Sequence, residues 1–261
     1  MGENHRMTTA ERRSIILRKL EENDQVNVVD LSKIFHVSEV TIRNDLGSLE
    51  EKNLLVRARG GAIKASVINR DVKLSEKNKK NLKEKKAIAK LAATLIKDGD
   101  TVLIDSGSTT EEIAKELVDI KELTIVTNAL NIVSQFTDNP DITVIVPGGI
   151  LRHSSFSLAG NTSEQNLNEY YCDKVLLGVD AIDVRHGIFT PHIEEANLNR
   201  AMIRISQEVI VVTDSSKFNK RSLTKIADIT AVHTIVTDSG LTADLRKILE
   251  DQGIRVIIAE V

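Results

Sequence analysis

The sequence of 261 residues contains no tryptophan, and aromatic residues make up only 3% of it. This scarcity argues against a protein that binds single-stranded nucleic acid by stacking its bases on aromatic side chains. Cysteine occurs once, as Cys172, which excludes an internal disulfide framework and is compatible with a reducing cytoplasm. Because a lone cysteine is usually a packed small apolar residue, we expect no nucleophilic cysteine.

Long apolar runs are also missing. No stretch approaches the ~18 apolar residues that a membrane helix needs, and residues 1–6 lack the apolar segment of a secretory signal. Hydrophobic residues make up 41% of the sequence and charged residues 28%, as is ordinary for a soluble globular protein. We therefore expect a cytoplasmic protein with no membrane partner, long enough for two domains or for one large α/β unit.

Positive and negative charges are unevenly distributed along the sequence, although the formal net charge is only −3. Residues 1–90 contain 20 Lys or Arg and 13 Asp or Glu, whereas the remainder contains 15 and 25. This asymmetry predicts a basic end that binds a polyanion and an acidic end with another task.

The stretch SEVTIRNDL, residues 38–46, predicts a helix with one apolar side and one polar side. Ser38 is a suitable N-cap, and Ile42, Leu46 and Leu49 recur at i, i+4 and i+7 as an apolar stripe. The other side suits phosphate oxygens and base edges in a major groove. An ordinary amphipathic helix with a solvated face is the alternative. The residues that we predict to contact DNA from this helix are Ser38, Val40, Thr41, Arg43 and Asn44.

The surrounding sequence favours the DNA-binding interpretation. Two helical patterns precede this stretch, the second at 29–35, and residues 25–28 fit a short edge strand. Two short helices joined by a tight turn form a helix-turn-helix, whose second helix reads the groove. Residues 54–63 fit two strands around a turn, a basic wing in which Arg57 and Arg59 contact phosphates. The alternative is a plain hairpin that closes a small core.

These motifs resemble the recognition helix and wing of the DeoR family of bacterial transcription regulators. The resemblance implies a winged helix-turn-helix domain over residues 1–64 that binds double-stranded operator DNA as a homo-oligomer, a dimer or a tetramer. It is carried by Ser38, Thr41, Ile42, Arg43, Asp45 and Leu46 in the helix, and by Arg59, Gly60, Gly61 and Ala62 in the wing.

Residues 65–85 lose the periodicity and become polar, which predicts a linker that leads into a helix. The lysines between residues 73 and 90 fit a solvated face. Alternatively, they attract phosphate groups non-specifically, which would produce a steep dependence of DNA affinity on salt.

From residue 86 to residue 261 the sequence alternates helical and strand patterns. Continuous Val, Ile and Leu runs separated by helices predict an α/β domain with a mostly parallel sheet covered on both faces. Ligands on such sheets bind at the carboxyl ends of the strands, so a site is expected in the loops there. The expected strands are 101–105, 123–127, 142–146, 174–179, 208–213, 233–237 and 255–259.

The strongest candidate for such a site is the loop Asp105-Ser106-Gly107-Ser108-Thr109-Thr110, which joins a buried strand directly to a helix. Gly107 permits close backbone approach, and the hydroxyls and helix-end N–H groups offer donors to an oxyanion. A capped strand-to-helix turn is the alternative, but four hydroxyls exceed what capping requires. The loop is neither a Walker loop nor a dinucleotide fingerprint, and we expect no cofactor.

Further polar residues follow other expected strands, and Arg152 and Lys217 are the expected fixed cations for an anionic ligand. Each residue taken alone is more commonly a surface group, so the prediction depends on the set. His186 and His192 lack partners at metal-ligand spacing, so we expect no metal site. The set consists of Asn128, Gly149, Arg152, Asp180, Glu194 and Lys217.

The order of these motifs also resembles the effector domain of the DeoR family, which is similar in fold to ribose-5-phosphate isomerase. The resemblance implies an effector domain over residues 86–261 that holds a phosphorylated sugar or polyol on the 106–110 loop, near Lys217. Asp180 and Glu194 stand where the isomerases keep catalytic acids, but family members of this kind act as sensors, so we assign no catalytic residue.

The sequence thus predicts a repressor of a carbohydrate catabolic operon that is released from DNA by a phosphorylated sugar. One alternative is a sugar-phosphate isomerase with an appended DNA-binding module, which is an analogy from fold alone. The other is an α/β oligomerisation module with a DNA-binding end and no small ligand.

Overall fold

The chain folds as two units, Met1–Arg70 and Asp71–Val261, with separate hydrophobic cores. The structure, a computed structural model, describes residues 7–23, 25–51, 54–58, 60–64 and 72–261. Of the expected linker 65–85, residues 65–71 lie outside these ranges. Residues 72–85 belong to the second unit and include helical residues from Leu74 and from Leu82 onward.

Three helices form the first unit: α1 (Thr9–Asn23), α2 (Val28–Phe35) and α3 (Glu39–Glu51). The apolar stripe predicted for α3 is confirmed, since Ile42, Leu46 and Leu49 are all buried with Ile16 and Leu20 of α1. The turn between α2 and α3 is made possible by His36, whose left-handed backbone ends α2.

A small sheet completes the first unit. Strands β2 (Leu55–Ala58) and β3 (Gly61–Lys64) form an antiparallel hairpin, and β1 (Gln25–Asn27) pairs with the outer side of β3. A Cβ on Gly61 would lie 1.9 Å from the carbonyl oxygen of Val26, so only glycine lets these strands approach. The predicted winged helix-turn-helix is confirmed.

The second unit is built on a fully parallel sheet of seven strands, ordered β15-β14-β12-β9-β4-β5-β6. The mostly parallel α/β fold predicted from continuous apolar runs is therefore confirmed. The strands are β4 (Thr101–Ile104), β5 (Thr124–Thr127), β6 (Thr143–Ile145), β9 (Cys172–Gly178), β12 (Ser206–Val212), β14 (Thr234–Asp238) and β15 (Arg255–Ala259).

Helices cover both faces of this sheet and produce two apolar clusters. One cluster lies under α5 and α6, and the other under α8, α9 and α10. None of the helices in the described ranges is both long enough and apolar enough to cross a membrane. The helices are α4 (Leu74–Lys77), α5 (Leu82–Ala93), α6 (Ser108–Glu116), α7 (Leu130–Val133), α8 (Asn161–Leu167), α9 (Ile193–Arg204) and α10 (Ala243–Asp251).

Short strands outside the main sheet were not predicted, because three- and four-residue segments carry little periodicity. Strands β7 (Ile150–Arg152) and β8 (Ser157–Ala159) form a hairpin. Strands β10 (Ala181–Asp183), β11 (Gly187–Thr190) and β13 (Thr224–Ala227) form a second antiparallel sheet.

The order of the strands determines where a ligand can bind. From β4 the chain proceeds to β5 and β6 on one side, and from β9 it proceeds to β12, β14 and β15 on the other. The direction of winding therefore reverses between β4 and β9, and a crevice opens at their carboxyl ends. The residues that follow these two strands are the 105–110 loop and Val179-Asp180.

Candidate functional site

The outward side of α3 is the candidate nucleic-acid interface of the first unit. Ser38 caps the helix as predicted, since its hydroxyl accepts the N–H of Thr41 at 3.1 Å. The two hydroxyls also lie 2.9 Å apart, which leaves Thr41 half-buried. Val40, Arg43 and Asn44 are exposed. All five residues are thus accessible to some degree, and their contact with DNA remains a prediction.

Arg43 already has a partner on its own helix. Its guanidinium donates to Glu39 at 2.6 Å, one turn earlier, and both side chains are about half exposed. An exposed i,i+4 ion pair of this kind contributes only ~0.3–0.5 kcal/mol. A phosphate or a guanine edge can therefore compete for Arg43 at low cost.

The inward side of α3 carries a buried charge cluster. The carboxylate of Asp45, only 2% exposed, accepts Nε of Arg12 at 2.5 Å and Nε of Arg13 at 2.9 Å. Arg13 also donates to the hydroxyl of Ser48 at 2.9 Å. These contacts join α3 to α1 and fix the rotation of the recognition helix. In the sequence, only the family motif singled out Asp45, although an Asp beside the apolar stripe of a helix was itself a signal of a buried charge.

The wing residues are only partly described. Arg57 is exposed on β2, and its backbone N–H donates to the carboxylate of Glu50 at 3.0 Å, which ties the wing to α3. Arg59 lies outside the described residues. Of the two arginines predicted to contact phosphates from the wing, only Arg57 therefore has a described position.

A cleft of about 150 Å³ opens in the second unit at the carboxyl ends of β4 and β9. Several separate segments of the chain contribute to it, among them the 105–109 loop and the segment before α5. Of the predicted set, the residues that line this cleft are Asp105, Ser106, Gly107, Ser108, Thr109, Asp180 and Lys217.

The 105–110 loop has the features of an anion site. The loop leads straight into α6, whose first N–H groups have no partners within the helix and whose dipole favours a negative charge. Oδ1 of Asp105 and the hydroxyl of Ser106 are buried, with no hydrogen-bond partner among the described residues. Buried polar atoms of this kind usually have partners, so these two indicate a place for a ligand or water.

Thr110 has a different part in this loop. Its side chain is fully buried, and its hydroxyl donates to the carbonyl of Gly107 at 3.0 Å. Thr110 therefore holds the loop from behind and does not line the cleft, in contrast to the prediction.

Two lysine ammonium groups lie beside the Asp180 carboxylate in the cleft. Nζ of Lys77 lies 2.6 Å from the Asp180 carboxylate, and Nζ of Lys217 lies 3.8 Å from the same oxygen. Burial raises the pKa of Asp180, but the two ammonium groups lower it by more, so the net pKa is below its ordinary value. Asp180 is therefore ionised at neutral pH.

Two further carboxyl groups, those of Asp105 and Glu195, line the same cleft. Burial raises the pKa of Asp105 well above its ordinary value, and the nearby Glu195 carboxylate adds to the rise. Hydrogen bonds from the Ser106 N–H and the Asn199 side chain oppose the shift without cancelling it. Protonated Asp105 can thus donate a hydrogen bond to an oxygen of a ligand.

Glu195, and not the predicted Glu194, lines the cleft. Successive residues on a helix point about 100° apart, and on α9 this rotation leaves Glu194 exposed. Thr190 donates to Glu195 at 2.7 Å, and the guanidinium of Arg152 lies 3.6 Å from the same carboxylate. Arg152 thus stands behind Glu195 and is not part of the cleft lining.

Two further predicted residues support the structure around the cleft and do not line it. Asn128 is buried and donates to the carbonyl of Leu158 at 3.1 Å, which holds the β7–β8 hairpin. Gly149 has a φ of 122°, and a Cβ there would lie 2.0 Å from the hydroxyl of Ser163. Glycine is therefore required at 149 for packing.

The sequence patterns did not predict the cleft residues that lie between residues 72 and 85. A signal for one of them was present: Lys85 shares a helical face with Ile88, Ala89 and Ala92, and it is buried with them. Within the described ranges, no group of three His, Cys, Asp or Glu could hold a metal ion. The missed residues include Lys77, Lys80, Asn81, Lys85, Thr190, Glu195 and Asn199.

Comparison with known proteins relates both units to transcriptional regulators. The family described as the DeoR-like helix-turn-helix domain matches residues 12–67, and that of the DeoR C terminal sensor domain matches residues 80–239. A protein of Escherichia coli O157:H7 named as a transcriptional repressor of the aga operon is 40% identical over 98% of this chain and 96% of its own length. HTH-type transcriptional regulator YulB of Bacillus subtilis (strain 168) is 37% identical over 96% of each chain.

Solved structures resemble the chain more distantly. Ribose 5-phosphate isomerase A from Methanocaldococcus jannaschii superimposes with a TM-score of 0.39 and 18% identity, and the match covers 53% of this chain and 55% of the isomerase.

Proposed function

This chain belongs to the DeoR family of helix-turn-helix transcriptional regulators, and from that premise we propose that it represses a carbohydrate catabolic operon in the cytoplasm until a phosphorylated sugar or polyol releases it from DNA. The observation that carries the proposal is the cleft in the second unit. There the 105–110 loop, the start of α6 and Lys217 converge on one small space.

The residues that line the cleft offer partners to both parts of a sugar phosphate. The phosphate group would bind the Ser106–Thr109 hydroxyls, the N–H groups that begin α6, and the ammonium of Lys217. The sugar hydroxyls would face Asp105, Glu195 and Asn199, which offer both donors and acceptors. A ligand with a phosphate and several hydroxyls would thus find a partner for each group.

Binding of an operator would occupy the first unit. Arg43, Asn44 and Val40 on the exposed side of α3 would meet base edges, while Ser38, Thr41, Arg57 and Arg59 would contact the phosphate backbone. Helix-turn-helix regulators commonly bind two half-sites about 10 base pairs or a multiple apart, which requires a symmetric oligomer. We therefore propose that the regulator is a homo-oligomer.

An isomerase activity is not part of the proposal. Asp105, Asp180 and Glu195 in the cleft would be candidate acids for such a reaction, but the relatives that match the whole length of the chain are named as regulators. Incubation of the purified protein with pentose and hexose phosphates, followed by analysis of the products, would detect turnover and would argue for an enzyme.

A thermal-shift screen with sugar phosphates tests the proposed effector. A ligand that binds only the folded protein at 100 times its Kd adds about 2.7 kcal/mol to the free energy of unfolding. We expect at least one sugar phosphate to raise the Tm of the second unit. Lys217→Ala should weaken that ligand at least tenfold in calorimetry, because one of the phosphate partners is lost.

The matched control is Lys247→Ala, which removes the same charge from an exposed position of α10. This variant should bind the ligand as the wild type does. Equal ligand affinity of the wild type and Lys217→Ala would refute the role of Lys217, and the absence of a shift with every sugar phosphate would refute the effector proposal.

A further inference from the structure

The segment 72–85, which we call the strap, forms one wall of the cleft. Val72, Lys77, Lys80, Asn81 and Lys85 all line the cavity, although the polar composition of this segment suggested a linker. Along the chain, the strap follows the last strand of the DNA-binding unit after only residues 65–71. The same short piece of chain therefore contributes to the candidate effector site and continues into the DNA-binding unit.

Several hydrogen bonds hold the strap on the second unit. The N–H of Leu74 donates to the carbonyl of Ser154 at 2.7 Å, and the side chain of Asn78 donates to Glu111 at 3.0 Å. The side chain of Asn81 donates to Asp214 at 2.8 Å. These contacts are made by polar groups, and residues 72–81 contribute no side chain to the two apolar clusters of the second unit.

Lys85 ties the strap to the helix behind it. The whole residue is only 4% exposed, and its ammonium donates to the backbone carbonyls of Lys77 and Lys80. Burial lowers the pKa of Lys85, as expected for an ammonium removed from water. A displacement of Lys77 or Lys80 would therefore pull directly on a buried group of α5.

Lys77 is the residue at which a ligand and the strap would meet. Its ammonium pairs with Asp180, which also lies 3.8 Å from Lys217, and all three residues line the cleft. An anion held by the 105–110 loop and Lys217 would offer Lys77 a second negative partner. The position of Lys77 then depends on whether the cleft is occupied.

We infer that the strap is the element that couples the effector to DNA binding: an anionic ligand in the cleft engages Lys77 and Lys80 and thereby shifts the segment that leads into the DNA-binding unit. The inference rests on the proposed function, because it takes the cleft as the effector site. A ligand can change DNA affinity only if it binds two arrangements of the protein unequally. The strap provides such a difference through the partners of Lys77.

Hydrogen–deuterium exchange of the full-length protein tests this inference, with inorganic phosphate and glucose 6-phosphate as the probes. The variants are Lys77→Gln and its matched control Lys79→Gln, which removes the same charge from an exposed strap residue that does not line the cleft. A ligand that gains a charge-assisted hydrogen bond from the strap should slow exchange there by about tenfold. We expect this slowing in peptides that cover 72–85 in the wild type and in Lys79→Gln, but less than a twofold change in Lys77→Gln.

Exchange in the peptide that covers 105–110 distinguishes a failure of the inference from a failure of the proposed function. At probe concentrations that saturate each protein, slowed exchange in this loop in all three proteins, together with the loss of the strap response in Lys77→Gln alone, supports the inference. Slowed exchange in the loop with an equal strap response in Lys77→Gln overturns the inference and leaves the proposed function standing. No response of the loop to either probe in any of the proteins contradicts the proposed function, and with it the inference.

A second variant tests the ion pair between Lys77 and Asp180 by changing the carboxylate. Asp180→Asn removes the carboxylate that holds Lys77 in the unliganded protein. We expect faster strap exchange without a probe, and slower exchange again when phosphate supplies a new partner. If phosphate leaves the strap of Asp180→Asn unchanged while it slows the strap of the wild type, Lys77 does not move between these partners.

Discussion

Two buried aspartates, Asp45 in the first unit and Asp105 in the second, are paired in opposite ways. In the first unit, both oxygens of Asp45 accept guanidinium donors, from Arg12 and from Arg13. In the second unit, one oxygen of Asp105 has no hydrogen-bond partner among the described residues, and the side chain borders a cleft. Both oxygens of Asp45 thus have partners without a ligand, whereas one oxygen of Asp105 is left for a ligand to contact.

This difference distinguishes a structural charge from a candidate binding group. Burying a carboxylate costs several kcal/mol unless its partners replace the lost water, so an incomplete set of partners is retained only where it has a use. Asp45 orients the recognition helix, and its value lies in rigidity. Asp105 and the neighbouring Ser106 hydroxyl offer polar atoms to whatever enters the cleft.

The largest expected effect is on the structural member of the pair. Asp45→Asn removes the charge that compensates two arginines, one of them buried, and breaking a buried ion pair in this way costs about 3–5 kcal/mol. We expect the first unit to unfold or to lose DNA binding, while the second unit keeps its stability. Hydrogen exchange measured on both units of the full-length protein would show the contrast.

Asp30→Asn is the control for this variant, since Asp30 is an exposed residue in the first turn of α2. It should change stability by no more than a few tenths of a kcal/mol. A first unit in Asp45→Asn that is as stable as in the control would show that the Asp45 cluster does not hold α3 in place.

A smaller effect is expected from changing Arg43, which lies on the exposed side of the helix that the Asp45 cluster orients. Arg43→Ala should weaken operator binding by about 1–3 kcal/mol and non-specific binding much less, because a base contact carries sequence information that a phosphate contact does not. The measurement is the ratio of specific to non-specific Kd at one fixed salt concentration. Equal losses on both DNAs would remove Arg43 from base reading.

The smallest expected effect is the pH dependence due to Asp105. Its folded-state pKa is raised, mainly by burial and then by Glu195, so the folded protein holds this proton more tightly than the unfolded chain. Its contribution to stability is fully present below the ordinary aspartate pKa and is lost as pH rises through the raised folded value. Between the ordinary pKa and the raised pKa, the free energy of unfolding falls by at most about 1.4 kcal/mol per pH unit.

Asp105→Asn tests this sign, because an amide cannot ionise. Thermal unfolding of the second unit should be less sensitive to rising pH in Asp105→Asn than in the wild type. An identical dependence of Tm on pH in the two proteins would mean that the pKa of Asp105 is the same in the folded and unfolded states.

Local patterns in the sequence were sufficient for the recognition helix and the main parallel sheet. The i, i+4, i+7 spacing of Ile42, Leu46 and Leu49 predicted the buried side of α3, and continuous apolar runs predicted the parallel sheet. Both signals depend on residues close together in the chain. The short strands β10, β11 and β13 pair across longer separations, and their sequences carried no comparable pattern.

The candidate site was predicted only where it follows a strand directly. The 105–109 residues, Asp180 and Lys217 line the cleft because the loops after parallel strands meet at one edge of the sheet. Lys77 and Asn81 reach the same cleft from a polar segment with no strand before it, so their position depends on tertiary packing. Glu194 and Glu195 are adjacent in sequence, and only the rotation of α9 decides which of them faces the cleft.

The central claim is that the second unit controls the DNA-binding surface of the first through an anionic ligand. The most direct test is footprinting on genomic fragments selected by the protein, with and without the sugar phosphate found by thermal shift. The account predicts a protected segment with two half-sites about 10 base pairs or a multiple apart, whose protection disappears when the sugar phosphate is added. A protected segment that no sugar phosphate alters, or no protected segment at all, would contradict it.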